Sequence, residues 1–140
     1  MIAYAESSAV LAWVLGEPEA EQVRNVLAAA ERVVSSTLTG VECSRALARG
    51  AATGRIGRTD ELAAARLLEG VITSWVTLEM SGRILRRAAG RFPVEPVRTL
   101  DALHLATALS FREACPDLIL VSLDDRLRAN ARPLDLQLSP

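Results

Sequence analysis

Short apolar runs of strand length alternate along this chain with longer segments of helical period, and this alternation constrains the fold more than any other feature. The runs Ile2 to Ala5, Val33 to Ser35, Trp75 to Leu78, Leu118 to Val121 and Leu136 to Leu138 suit short strands buried in a parallel sheet. Between them, Glu17-Pro18-Glu19 opens a helix to about Ala30, with proline at its first position, and Thr37 or Thr39 opens another to about Thr53. Further helices are expected from Thr59-Asp60-Glu61 onward, from Met80 to about Arg91, from Leu100 to Ala114 and from Asp125 to about Ala131. That order predicts one α/β domain over residues 1–140, with a mainly parallel sheet of about five short strands and helices on both faces. Pro93 and Pro96 exclude helix from 91–97, the loop expected to be most mobile.

A chain of 140 residues, half of them hydrophobic, is long enough to bury a core and too short for two ordinary domains. No apolar run approaches the ~18 residues that cross a bilayer, and no secretory signal opens the sequence, so a cytoplasmic protein without a membrane partner is expected. Cys43 and Cys115 form no C-x-x-C pair and read as buried reduced thiols. The formal charge of −1 disfavours a generic polyanion binder, although all sixteen basic residues are arginine, whose planar fork suits phosphate.

In open α/β sheets, sites form beyond the carboxyl ends of the strands. Glu6 follows the first strand in YAESSAV and Asp124 follows the fourth in LILVSLDDRL. Glu42, in VECSRAL, and Asp101, in RTLDALHLATAL, lie near helix starts able to reach the same edge. Each acid has a plainer reading. Asp124 or Asp125 can cap the following helix, and Glu42 can pair with Arg45 or Arg49 on an exposed helix face. Glu6 is a poor N-cap beside Ser7 and Ser8, so capping explains it badly. Asp101 opens a helix that is apolar on almost every side, where an ionised carboxylate needs a cation, either Arg98 or a metal ion.

His104 is the sole histidine and reads as a core or hydrogen-bonded residue. A Ser8, His104, Asp101 nucleophilic triad lacks the G-x-S-x-G elbow, and no Gly-rich phosphate loop is present. Carboxylates without histidine or cysteine partners suit Mg2+ or Mn2+, ions that activate water against phosphodiesters. Their binding would offset the negative charge of the chain and admit a nucleic-acid substrate.

YAESSAVLAWVLGE, VECSRAL, RTLDALHLATAL and VSLDDRLRANA, in this order and spacing, resemble PIN-domain proteins, and in particular the VapC toxins of bacterial toxin-antitoxin pairs. The resemblance runs through essentially the whole chain. It implies a three-layer α/β/α fold and a Mg2+- or Mn2+-dependent ribonuclease acting on structured RNA such as tRNA or rRNA. It also implies a VapB-type antitoxin whose tail occupies the groove, a homodimer and a toxin-antitoxin hetero-oligomer. Matched position by position, Glu6, Glu42, Asp101 and Asp124 are the implied catalytic and metal-binding acids, supported by Ser8 and Ser122. Glu6 stands where the family usually has aspartate, and Ser122 replaces the threonine of T-x-D. Arg98 and Arg126 are the arginines nearest these acids in sequence and are expected to meet RNA phosphates. Two rivals carry other functions. One is a PIN-fold binding protein attenuated by Glu6; the other, a receiver-like phosphoacceptor, is disfavoured by Glu79 after the third strand and the absence of lysine.

Overall fold

The structure, a computed structural model, describes residues 1–140. Its elements run β1 (Ile2–Ala5), α1 (Ser7–Leu15), α2 (Ala20–Ala29), β2 (Arg32–Ser36), α3 (Thr37–Ala52), α4 (Arg58–Ser74), β3 (Val76–Leu78), α5 (Gly82–Ala88), α6 (Thr99–Ala114), β4 (Leu118–Val121), α7 (Asp125–Ala131) and β5 (Gln137–Ser139). All five strands are parallel, in the order β3-β2-β1-β4-β5. From β1 the chain steps outward through β2 and β3, then returns to lay β4 on the other side of β1. The direction therefore reverses between β1 and β4, and the carboxyl ends of these two strands open the crevice where α/β sheets place ligands.

Side chains of β1 alternate between two cores, as the period of a strand requires. Ala3 and Ala5 face α1 to α4, packing with Val10, Val23, Leu27, Cys43 and Leu68. Tyr4 faces the opposite layer with Leu105 and Ala108 of α6, Leu127 of α7, and Leu118 and Leu120 of β4. The result is the three-layer α/β/α arrangement expected from sequence. No helix is long and apolar enough to cross a membrane.

Several boundaries differ from the sequence reading. Pro18 stays in a turn rather than taking the first helical position, and α2 begins at Ala20 after Glu19. Gly16, left-handed at φ 66°, has already closed α1 there, leaving 17–19 to redirect the chain. Helix α5 is shorter than the expected 80–91, because Ser81 caps it through Ile84 N and the chain turns out at Gly90. The fifth strand shifts by one residue, since Leu136 N donates to Ala131 O instead of joining the sheet.

The proline loop is tethered, contrary to the mobility expected of it. Phe92 is buried, Glu95 accepts from Phe92 N (3.0 Å) and Val97 N (2.7 Å), and Val94 exchanges two hydrogen bonds with the Asn130 side chain. Cys43 is buried and Cys115 half-buried, both as free thiols. Burial raises the Cys43 thiol to about 12, with Glu42 and Glu6 adding to the effect.

Leu120 is fully buried on the sheet beneath α6. Leu120→Ala is expected to lower unfolding free energy by about 2–5 kcal/mol in urea titration, because the cavity closes only in part.

Candidate functional site

Parallel pairing sets Ala5 opposite Val121 and extends one step further, with Glu6 N donating to Val121 O at 3.0 Å. Glu6 and Ser122 therefore emerge side by side at the switch point. Ser122 Oγ donates to Glu6 Oε2 at 2.8 Å. The same carboxylate oxygen accepts from Ser8 N at 3.1 Å and from Ser8 Oγ. Glu6 is thus the N-cap of α1, which corrects the expectation that capping does not explain it. Its carboxylate folds back over the first turn of α1. The other oxygen, Oε1, accepts no hydrogen bond and is not sealed from solvent.

Ser8 and Ser122 act as a brace. Leu123 N donates to Ser8 Oγ (2.9 Å) and Asp124 N to Ser122 Oγ (3.2 Å), tying the segment after β4 to the first turn of α1. Asp124 then caps α7, its Oδ1 accepting from Arg126 N (2.9 Å) and Leu127 N (3.1 Å). The plainer capping role is therefore real, but it uses one oxygen only.

Asp101, buried in the first turn of α6, meets the cation its position demands. Arg98 Nε donates to Asp101 Oδ2 at 3.0 Å, while Arg98 Nη2 donates to Asp124 Oδ2 at 3.2 Å. One guanidinium thus bridges two of the four acids. Its hydrogen bond to Asp101, then their mutual charge, hold the Arg98 pKa above its ordinary value. The side chain itself is 61% exposed, so the bridge can open toward solvent without unpacking the core. Arg126 is exposed.

Glu42 pairs with neither Arg45 nor Arg49. It turns inward, where Oε1 meets His104 Nε2 at 2.5 Å and accepts from Ser7 Oγ at 2.9 Å. Burial pulls the Glu42 pKa upward, but the contacts with His104 and Ser7 and the charge of Arg98 outweigh it, leaving it below the ordinary value. His104 is the buried, hydrogen-bonded histidine expected from sequence; its Nδ1 lies 2.8 Å from the Tyr4 hydroxyl.

A serine-nucleophile reading fails on geometry. The hydroxyl beside His104 is Ser7, at 3.1 Å from Nε2, and Glu42 occupies the same ring nitrogen. A triad needs the acid and the hydroxyl on opposite nitrogens. Ser7 and Tyr4 were not legible as members of the site, although the i, i+3 spacing of Asp101 and His104 places both on one face of α6.

The four acids therefore reach one edge of the sheet, Glu6 and Asp124 joined through Ser122, Asp101 and Asp124 through Arg98, and Glu42 held separately by His104 and Ser7. No three acidic, histidine or cysteine side chains close around a single point in the arrangement described. A cavity of about 620 Å³ lies elsewhere, between α1, α3 and α4, and is lined by residues such as Leu11, Val14, Arg49, Ile56 and Asp60.

A family model for the PIN domain matches residues 3–133 of this chain. The chain belongs to the PIN-domain family. Among curated relatives, Ribonuclease VapC46 of Mycobacterium tuberculosis is 36% identical over 135 residues, covering 95% of this chain and 92% of the relative. Among solved structures, M. tuberculosis VapC20, described as a sarcin-ricin loop cleaving toxin, superposes with a TM-score of 0.65 at 17% identity, covering 91% of this chain and 93% of that one. VapBC2 from Rickettsia felis, solved bound to a DNA fragment from its promoter, gives a TM-score of 0.63 at 14% identity, covering 99% and 98%. At those identities the two structures support the PIN fold alone, whereas the VapC46 match places this PIN-domain chain with the VapC proteins.

Because the Glu42 pKa is depressed in the fold, its ionised form stabilises the protein above the ordinary value of 4.5, and this contribution is lost as pH falls through the folded pKa. The stability advantage of the parent over Glu42→Gln, measured by urea unfolding, is expected to be full at neutral pH and to shrink below 4.5.

Proposed function

We propose that this PIN-domain chain is the toxin of a type II toxin-antitoxin pair, a metal-dependent endoribonuclease whose site is formed by Glu6, Glu42, Asp101 and Asp124. One observation carries the reading. Each acid has one oxygen anchored by the protein, and Glu6 Oε1, Glu42 Oε2 and Asp101 Oδ1 are left without a hydrogen bond, while Asp124 Oδ2 meets only Arg98. Carboxylates serving only as caps and ion-pair partners would not need to converge from four segments on the switch point. The name of the VapC46 relative supports the activity class.

The donor set fits Mg2+ or Mn2+, since it consists of hard oxygens, with the only histidine turned inward and no thiol among the groups. Arg98, bridging Asp101 and Asp124, marks where positive charge is required. A bound divalent ion supplies a Lewis acid for the phosphoryl oxygens and a lowered pKa for water. The residues of the chain do the rest. Asp101 and Asp124 present their oxygens once Arg98 swings outward, Ser8 and Ser122 keep Glu6 from turning away, and His104 and Ser7 hold Glu42. Arg126, and Arg98 when released, are placed to meet phosphates flanking the scissile bond. The substrate class is structured RNA such as tRNA or rRNA. The partners are a VapB-type antitoxin and a second copy of the chain, as for the family it resembles.

The purified protein, freed of any antitoxin and incubated with total RNA plus Mg2+ or Mn2+, is expected to cleave RNA in a chelator-sensitive manner. Asp101→Asn and Asp124→Asn are expected to lose activity by roughly 100-fold or more. Glu6→Asp is expected to keep or raise it, because aspartate also caps a helix well and shortens the reach. Equal cleavage by all four proteins, or cleavage that survives chelation, overturns the reading. RNA binding without cleavage by the parent favours a PIN-fold binding protein instead.

A further inference from the structure

Behind Glu42 lies a chain of buried polar groups, of which the nuclease reading uses only the contacts of His104 and Ser7 with Glu42. Tyr4 on β1 and His104 on α6 are fully buried, and Ser7, at the start of α1, is nearly so. They are joined end to end: the Tyr4 hydroxyl to His104 Nδ1 at 2.8 Å, and His104 Nε2 to Glu42 Oε1 at 2.5 Å. Ser7 Oγ donates to the same Glu42 oxygen at 2.9 Å. None of the polar side-chain atoms of Tyr4, Ser7 and His104 is left buried without a partner.

The protons in this chain can be placed. The Tyr4 hydroxyl is fully buried and lies 2.8 Å from His104 Nδ1, within reach to donate to that nitrogen. An ionised carboxylate only accepts, so the ring nitrogen facing Glu42 must carry a hydrogen. In a neutral imidazole with Nε2 as donor, Nδ1 is the bare acceptor to which Tyr4 donates. Each proton then points from the core toward the site.

We propose that Tyr4 and His104 form a positioning relay that fixes His104 as the Nε2–H tautomer, anchors Glu42 through Oε1 and aims the free Oε2 at the site. The proposal rests on the reading of Glu42 as a site acid. Packing alone does not account for the arrangement, because phenylalanine and leucine would fill these positions without polar atoms to satisfy. Glu42 has several rotatable bonds, and two donors on one oxygen remove most of their freedom before substrate arrives. Tyr4 and His104 touch no reacting atom and act only through Glu42.

The single histidine allows a direct test. Two-bond 1H–15N correlation spectra of the parent are expected to show His104 in the Nε2–H form, and Tyr4→Phe to shift Nδ1 toward the position of an unbonded ring nitrogen. In RNA cleavage, Tyr4→Phe is expected to lower kcat by about 10- to 100-fold with little change in KM, the range typical of residues that orient ligands. His104→Gln, which still reaches Glu42 with an N–H, is expected to keep more activity than His104→Asn, whose amide reaches only the Nδ1 position. An Nδ1–H tautomer in the parent overturns the relay, as does an unchanged kcat in folded Tyr4→Phe. If Glu42→Gln cleaves like the parent, the four-acid reading fails and takes the relay with it. If Glu42→Gln is inactive while Tyr4→Phe and both His104 variants match the parent, the relay alone is overturned.

Discussion

A carboxylate at the edge of a buried sheet is tolerated only where donors meet it, and the arrangement of these donors organises one end of the molecule. The in-register pairing of β1 with β4 delivers Glu6 beside Ser122, and the two serines lock the strand ends together through it. The same requirement draws Arg98 over Asp101 and Asp124 and turns Glu42 toward His104. Without these donors, four acids converging on one crevice would repel one another and the crevice would splay.

The compensation is uneven, and the unevenness carries the functional reading. Glu6 and Glu42 are held by uncharged hydroxyl and backbone groups or by a buried imidazole, contacts with no obvious exit. Asp101 and Asp124 share a guanidinium on a long, mostly exposed side chain. The guanidinium end of these pairs is exposed although Asp101 is buried, so solvent and a competing cation can approach from the Arg98 side. One half of the cluster is thus held by buried donors, and the other by a cation that solvent can reach.

Most of the fold was legible because the strand runs are short, apolar and bounded. Ile2–Ala5 and Leu118–Val121 match the sequence reading residue for residue, and so does Asp125–Ala131. Boundaries slipped at Pro18, Ser81 and Leu136, where a left-handed glycine, a side-chain cap and a single backbone hydrogen bond decide and periodicity registers none of them. All four acids were legible from their places after strands and at helix starts. Their partners were less so. Arg98 lies three residues from Asp101 and could be named, whereas Ser7 with Glu42 and Tyr4 with His104 are separated by 35 and 100 residues and meet only through the sheet. Glu6 was misjudged as a poor cap beside Ser7 and Ser8, whereas its carboxylate accepts from Ser8 N.

Calorimetric titration of Mn2+ into the parent and Arg98→Gln tests the account most directly, because it asks whether the guanidinium stands where the cation binds. Saturable binding by the parent, and tighter binding by Arg98→Gln once the internal competitor is gone, is the predicted result. Absence of binding by both proteins, or an affinity that is equal or weaker in Arg98→Gln, would contradict it.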